Sequence, residues 1–450
     1  MPMSGRAPTG PRREPGVDTD RLLLGAAGLC LAAALVAVVL VRGPLLFDGS
    51  FFLFQVLQSG APYIPDNRFL AVPIHVATLG LARLTDDPWT LALAFSAMYL
   101  ALAAGGYLGA AWWLRRSASH LAAWPILGLL VVSPILLDTT TESLVTGGLA
   151  FVMVHLAATA KSPRRLAAAA MVAAVLFISH PIAGLVLLMA AGAAVLHWER
   201  AGRRDRVDLV FVAVSVVIGV VRLRLLVPGY ESYIATPGTF VTHLVQGIRP
   251  AVALVLVSAW VSGTFLLLAR RGGGGPGRRA LALLPVAGAV PLVIDIAAGH
   301  GWPPELDYRL AIVPALLPLL AMLAIDANAG PGRTAATSFA TRRVVALAML
   351  AVSAILGVQA WRWNGDVGAM RTYVAAAPSP CMPDLVLPGR ATGHWGGRSL
   401  ALLVEGRNPA VVLGSAAECG QLRERHLYSG STNFVALYPT RSGWFRLPNP

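Results

Sequence analysis

The stretch FLAVPIHVATLGLARL, Phe69–Leu84, decides how the rest of the chain is arranged. It is apolar, but it is shorter than most membrane-spanning helices, which need roughly 17–25 residues, and Pro73 and His75 interrupt it. If this stretch crossed a membrane, every later loop would change sides. If it lies on the membrane surface instead, each later loop is on the other side of the membrane from where a crossing would place it.

The basic residues of the chain distinguish these two arrangements, because Lys and Arg collect in cytoplasmic loops. The clusters that follow are Arg115–Arg116, Lys161–Arg165, Arg200–Arg206, Arg270–Arg279 and Arg333–Arg343. All of them fall in the cytoplasm only when the stretch does not cross. We therefore expect residues 43–88 to form one long extracytoplasmic loop with two interfacial helices, at about 48–59 and 68–84.

Composition indicates a membrane protein of many helices. Hydrophobic residues make up 56% of the 450 residues and charged residues 13%, against roughly 25% in ordinary globular chains. The mean hydropathy is +0.66. The net charge of +14 fits basic cytoplasmic loops that face anionic lipid. No soluble basic domain is visible, which excludes nucleic acid as the partner.

The apolar runs predict an all-α polytopic membrane protein with about eleven transmembrane helices. Residues 1–21 form a cytoplasmic tail, 22–362 the membrane domain, and 363–450 a small extracytoplasmic C-terminal region. The predicted spans are 22–41, 89–114, 119–137, 142–160, 164–179, 182–198, 207–227, 250–269, 280–299, 309–326 and 343–362.

The C-terminal region is polar, and two short apolar pieces in it, Leu400–Val404 and Ala410–Leu413, are expected to be strands. Cys381 and Cys419 also lie there. In an oxidising compartment a disulfide between them is favoured over two buried thiols.

Asp48 directly follows the first span, at the start of the first interfacial helix. It is either a helix N-cap or a general base. Asn or Ser would cap equally well, so a cap alone does not require a carboxylate. At helical spacing Asp48, Gln55 and Ser59 share a face, which would direct a carboxylate and an amide into one cleft.

Two further acidic groups leave alternatives open. Asp66 and Arg68 form either a surface ion pair in a turn or, through Arg68, a phosphate contact. Asp138 and Glu142 stand four residues apart at a helix start, where Glu142 fits a capping box. The competing interpretation is that they supply a second acid near an active site.

Charges inside apolar runs are the hardest to dismiss as structural. Arg222 and Arg224 lie in the outer third of a predicted span, and Asp295 lies inside PLVIDIAAGH. Arginines there either extend to the headgroups or bind a lipid phosphate, for which the guanidinium is suited. His180, before Pro181, is typical of a structural turn, and no group of residues has metal-ligand spacing.

Taken together, these features resemble the GT-C superfamily of integral membrane glycosyltransferases. The resemblance rests on FDGSFF with Asp48 after the first helix, the long first loop and Glu142 in TESLVTGGLAFVMVHLA. It also includes the His-Pro turn in LFISHPIAGLVLL and Arg309 in DYRLAIVPALLPLLA. It covers roughly residues 22–326 and is architectural.

The resemblance implies that a sugar moves from a polyprenyl-phosphate carrier to an acceptor on the extracytoplasmic side. Asp48 would be the general base or metal-assisted base, and Arg222, Arg224 or Arg309 would bind the carrier phosphate. The family commonly has an acidic pair after the first helix, whereas Gly49 takes the second place here. Whether a divalent cation is required stays open.

Two alternatives come from other classes of protein. A transporter or flippase for a lipid-linked saccharide would use the same arginines without a base. An inactive scaffold of the same fold in envelope assembly would need neither. A chain rich in Ala, Arg and Gly with few Lys indicates a bacterial genome of high GC content. We therefore expect a multi-pass protein of the bacterial cytoplasmic membrane, with the N-terminus inside and the C-terminus outside.

Overall fold

The computed structural model describes residues 16–46, 48–64, 68–137, 141–159, 162–201, 206–224 and 337–378, together with short pieces beyond them. Those pieces are 381–383, 397–407, 412–414, 444–445 and a few isolated positions between 259 and 322. The spans predicted at 250–269, 280–299 and 309–326 therefore lie almost wholly outside the described residues.

Helices make up nearly all of the described chain. They are α1 Gly16–Leu40, α2 Asp48–Ser59, α3 Val72–Leu81, α4 Pro88–Ser117, α5 Ala123–Val132, α6 Thr141–Ala157, α7 Pro163–Ile178, α8 Ala183–Ala201, α9 Arg206–Arg224, α10 Thr337–Ala375 and α11 Gly397–Glu405. Strand β1, Cys381–Pro383, follows α10 in the sequence, and strand β2, Val412–Gly414, follows α11. The two strands pair in parallel.

Three of the described helices are long and apolar enough to cross a membrane: Thr19–Leu40 in α1, Pro88–Ser117 and Arg342–Ala375 in α10. Shorter apolar helices, among them α3, α5 and most of α6 and α8, pack around them. The all-helical membrane class predicted from composition is thereby confirmed, while the number of spans stays a prediction.

The first and last long helices run parallel and in contact. Near their beginnings, Arg343 Nε lies 2.6 Å from a carboxylate oxygen of the buried Asp20. About 20 residues further along, just after the end of α1, the Trp363 indole N–H donates to the Arg42 carbonyl oxygen at 3.1 Å. About 20 residues of each helix separate these two contacts, roughly 30 Å at 1.5 Å per residue. That distance matches the hydrocarbon thickness of a bilayer.

Glycines allow α4 and α6 to approach backbone to backbone. A Cβ at Gly106 would stand 3.0 Å from the Val145 Cα, and a Cβ at Gly148 would overlap the Gly106 backbone. Further along the same pair, the Trp113 and His155 rings meet at 5.7 Å. Residue numbers increase in the same direction in both helices from the first contact to the second, so α4 and α6 run parallel. Small residues at a crossing are typical of membrane helices.

The segment 43–88 begins and ends at one end of this bundle. Arg42 follows α1, and its Nε donates to the carbonyl oxygen of Trp89 at the start of α4. The described basic pairs Arg115–Arg116 and Arg342–Arg343 lie at the opposite ends of α4 and α10. The segment therefore does not cross the bundle, and α3 is only 10 residues long.

The loop and the C-terminal region pack against each other at that end. α11 contacts α2, and the rings of Phe54 and Phe445 stack at 5.3 Å. Arg407 forms an ion pair with Asp86. Both Leu400 and Leu403 in α11 are buried. The expectation of a strand over Leu400–Val404 was therefore wrong, because this apolar run forms one face of a helix.

Other predicted bounds also change. The second loop helix is Val72–Leu81 rather than 68–84. The helix expected over 119–137 is α5 flanked by 3-10 turns at Ser119–Leu121 and Ser133–Ile135, since Pro134 cannot continue the hydrogen-bond ladder. α10 continues to Ala375, thirteen residues beyond the predicted end at 362.

Candidate functional site

Two distant segments of the chain, each with a predicted phosphate-binding arginine, meet at the turn between α7 and α8. The Ile178 carbonyl oxygen accepts from the amides of Phe69 and Leu70 at 2.9 and 3.1 Å. The carbonyl oxygen of the next residue, Ser179, accepts from Arg222 Nη2 at 2.5 Å. Arg68 directly precedes Phe69, so the Arg68 backbone and the Arg222 guanidinium, both from residues predicted as phosphate ligands, lie at the same turn.

The cluster lies inside the protein. Arg68 is 4% exposed, Arg222 1% and His180 3%. Translocation measurements assign about 2.5–3.5 kcal/mol to a charged side chain at the centre of a membrane helix. A buried guanidinium therefore requires hydrogen-bond acceptors or an anion, and the Ser179 carbonyl supplies one acceptor to Arg222.

Hydroxyl groups and His180 hold the turn in place. The Ser179 and Thr146 hydroxyl oxygens lie 2.8 Å apart, and the Ser179 hydroxyl also lies 2.7 Å from the Leu176 carbonyl. His180 Nδ1 accepts from the Ile182 amide at 3.3 Å. These contacts hold α6 against the turn and orient the Ser179 carbonyl oxygen, which accepts from Arg222.

Glycines in α8 and α9 determine where Arg222 stands. A Cβ at Gly184 would lie 2.7 Å from the Gly219 carbonyl oxygen, and a Cβ at Gly219 would lie 2.9 Å from that of Gly184. The two backbones therefore touch at this level. Arg222 follows Gly219 by about one turn, and His180 precedes Gly184 by four residues, so the close crossing brings them side by side.

The cluster sits beside the interior of α4, not at its end. Thr146, which contacts Ser179, adjoins Val145, and Val145 packs on Gly106. Gly106 lies well inside the 30 residues of α4. A charge inside a bundle of apolar helices must face protein or a water-filled cavity.

Asp48 opens α2, and its neighbour Gly49 has no space for a side chain. A Cβ at Gly49 would overlap the Pro44 carbonyl oxygen, part of the 3-10 turn Gly43–Leu45. The acidic pair expected from the family resemblance therefore does not fit this backbone at position 49. The structure places Asp48 at the first residue of α2 and does not describe its side chain.

Gln55 is buried in α2, at 7% exposure, and its Nε2 has no hydrogen-bond partner within the described residues. The backbone carbonyl of Gln55 accepts from the Ser59 hydroxyl at 2.7 Å. On the neighbouring turns, Phe51 and Phe52 pack against Tyr63 at 5.6 and 5.4 Å between ring centroids. Gln55 thus follows, by about one helical turn, the two phenylalanines that pack on Tyr63.

The remaining predicted site residues are not tested by the described geometry. Glu142 is in the first turn of α6, one turn before Thr146, and Arg224 ends α9, but the structure does not describe either side chain. Asp138, Asp295, Arg309 and Cys419 lie outside the described residues, so the Cys381–Cys419 disulfide also stays a prediction. Among the described side chains, no group of three His, Cys, Asp or Glu could hold a metal ion.

A second polar group, at the loop end, was not predicted. The guanidinium carbons of Arg42 and Arg371 lie 4.6 and 4.5 Å from the Trp89 ring centroid. Partial burial and the charge of Arg371 lower the pKa of Arg42, against the opposing effect of Asp87. Arg42 has a left-handed backbone, φ 57°, the single non-glycine case among the described residues. A short stretch of sequence gives no sign of this group.

The fold and its buried charges define the class: a helical protein embedded in a membrane, with a polar cluster inside the bundle. Comparison of the chain with protein-family models, curated proteins and solved structures gives no match.

Proposed function

We propose that this chain is a GT-C-like membrane glycosyltransferase, which moves a sugar from a polyprenyl-phosphate carrier to an acceptor hydroxyl. In this proposal about eleven spans cross the bacterial cytoplasmic membrane. The loop 43–88 and the C-terminal region face the extracytoplasmic side, and the two loop helices lie at the membrane surface. Parallel α1 and α10, with the loop and α11 packed at one end, support this arrangement.

The observation that supports the proposal most directly is the pair of buried arginines at one turn. Arg68 comes from the loop and Arg222 from an apolar helix. The turn accepts hydrogen bonds from the two residues that follow Arg68 and from the Arg222 guanidinium. Guanidinium groups bind phosphate through paired, charge-assisted hydrogen bonds. A carrier phosphate is the anion that a lipid would bring to this depth, with its prenyl chain among the apolar helices.

The proposed reaction needs one base and one phosphate site. Asp48 accepts the proton of the acceptor hydroxyl, whose oxygen then attacks the anomeric carbon of the sugar. The bond from that carbon to the phosphate oxygen breaks, and its electron pair leaves with the carrier phosphate. Arg68 and Arg222 stabilise the negative charge on the departing phosphate. A divalent cation would assist at the same place if acidic residues outside the described part of the chain supply ligands.

The test compares lipid-linked sugars and envelope glycans in wild type, a deletion strain and complemented strains at matched protein level. Asp48→Asn and Arg222→Gln should both leave the glycan missing and the lipid-linked donor accumulated. Asp87→Asn is the matched control, since Asp87 caps α4 through the Trp89 and Thr90 amides and Asn caps equally well. A wild-type level of glycan in the Asp48→Asn strain would refute the glycosyltransferase proposal.

One observation favours the second candidate, a flippase for a lipid-linked saccharide. The arginine cluster lies beside the interior of α4, and transporters bind substrate near the membrane midplane. In that case Arg222→Gln abolishes the glycan while Asp48→Asn preserves it. An inactive scaffold would tolerate both substitutions, so the same strains separate all three functions.

A further inference from the structure

The polar group at the loop end takes no part in the proposed glycosyl transfer. Arg42 and Arg371 both lie over the indole of Trp89, although their charges repel. Cation–π contact with one ring partly offsets this repulsion. The carboxylate that acts on Arg42 in the described part of the chain is Asp87, and it already accepts from two α4 amides and the Thr90 hydroxyl.

The group stands where the apolar helices end. The membrane-spanning part of α1 ends at Leu40, two residues before Arg42, and Trp89 is the second residue of α4. Trp and Arg at this level meet the headgroup layer of a bilayer. Arg371 is exposed and Arg42 and Trp89 are half-buried, so the two guanidinium groups are accessible from that layer.

The backbone conformation of Arg42 also directs its side chain toward Trp89. Its left-handed conformation, which costs an arginine free energy, ends α1 and allows Nε to reach the Trp89 carbonyl at 3.3 Å. Glycine would adopt the same backbone without strain. The strained arginine thus places a positive charge beside a second positive charge, an arrangement that an anion stabilises.

We propose that Arg42 and Arg371 bind the phosphate of an anionic phospholipid, which seats on the loop end of the helix bundle between α1, α4 and α10. The two guanidinium groups would donate to the phosphate oxygens, and the lipid tails would lie along the exposed apolar side chains of α1, such as Leu29 and Val36. This site is separate from the buried cluster at Arg222.

The experiment titrates phosphatidylglycerol onto the detergent-purified full chain and measures bound lipid by native mass spectrometry, with phosphatidylcholine as the neutral probe. Arg371→Gln and Arg42→Asn should each weaken phosphatidylglycerol binding about tenfold, the size expected for losing one charge-assisted hydrogen bond. Asn tolerates the left-handed backbone at position 42. Arg362→Gln is the matched control, since Arg362 lies 4.7 Å from a single indole, Trp361, on the same helix.

Each outcome decides the proposal. Selective loss in the Arg42 and Arg371 variants, with Arg362→Gln unchanged, supports it. Equal binding in Arg371→Gln and wild type overturns it, as does an equal loss in Arg362→Gln. If inorganic phosphate at the same concentration displaces phosphatidylglycerol completely, the site takes free phosphate and the lipid assignment is wrong. Glycan synthesis that survives in Arg371→Gln would separate this site from the proposed transferase.

Discussion

His75 should make the stability of the protein depend on pH. It lies in α3, outside the membrane-spanning helices, is 1% exposed, and stacks on Phe95 with 6.2 Å between ring centroids. Burial lowers the pKa of His75 to about 4, although the Tyr63 carbonyl acts in the opposite direction. In the unfolded chain the pKa returns to its ordinary value of 6.5. The unfolded state therefore binds the proton more readily.

The sign and size of the effect follow from these two pKa values. The stability that neutral His75 contributes is fully present above pH 6.5 and is lost as the pH falls toward 4. The whole difference corresponds to about 3 kcal/mol, of which about 2 kcal/mol is already lost at pH 5. Carboxylates titrate in the same range, so the effect must be read as a difference between variants.

The measurement is thermal unfolding of detergent-purified protein between pH 5 and pH 7.5, for wild type and His75→Met. Methionine fills a similar volume and does not titrate, so the wild type should lose about 2 kcal/mol more than the variant over this range. Val76→Met, at an exposed position of the same helix, is the control and should follow the wild type. If His75→Met loses stability as steeply as the wild type, the burial argument is refuted.

Three further predictions concern packing and charge, each measured by thermal unfolding in detergent. Gly148→Ala should destabilise by about 1–3 kcal/mol because its Cβ meets the α4 backbone, whereas Gly109→Ala, with nothing within 4 Å, should not. Gly49→Ala should cost a similar amount through its overlap with a backbone carbonyl, and no loss would show that position 49 has room for an acid. Arg343→Gln should cost about 1–3 kcal/mol because it leaves the buried carboxylate of Asp20 without its ion pair, and adding Asp20→Asn should restore part of that loss. An unchanged Arg343→Gln, or equal losses in the two α4–α6 glycine variants, would contradict the corresponding contacts.

Local signals explain why some elements could be predicted from sequence. The helix expected at 48–59 has the bounds Asp48–Ser59 in the structure, because Gly60 follows it with φ +64°, a helix end that glycine favours. The run Leu400–Val404 was assigned wrongly because a short apolar run fits a strand and a helix face equally. Tertiary contact with α2 decides in favour of the helix.

The candidate site was only partly accessible from sequence for a different reason. Arg222 was identified because a charge inside an apolar run is costly wherever it lies. Ser179 was not identified, since its role depends on a contact with Thr146, 33 residues away. The pairing of Arg42 with Arg371 on one indole depends on α1 and α10 lying side by side, which no local pattern encodes.

The contact between α1 and α10 has a consequence for biosynthesis. Asp20 and Arg343 are 323 residues apart, so ribosomes adding roughly 5–20 residues per second need roughly 20–60 seconds to make the second after the first. During that time α1 is already in the bilayer with its final neighbour unmade and its buried carboxylate without a counter-ion. Until α10 is made, other groups such as lipid headgroups or insertion factors would have to satisfy the Asp20 carboxylate.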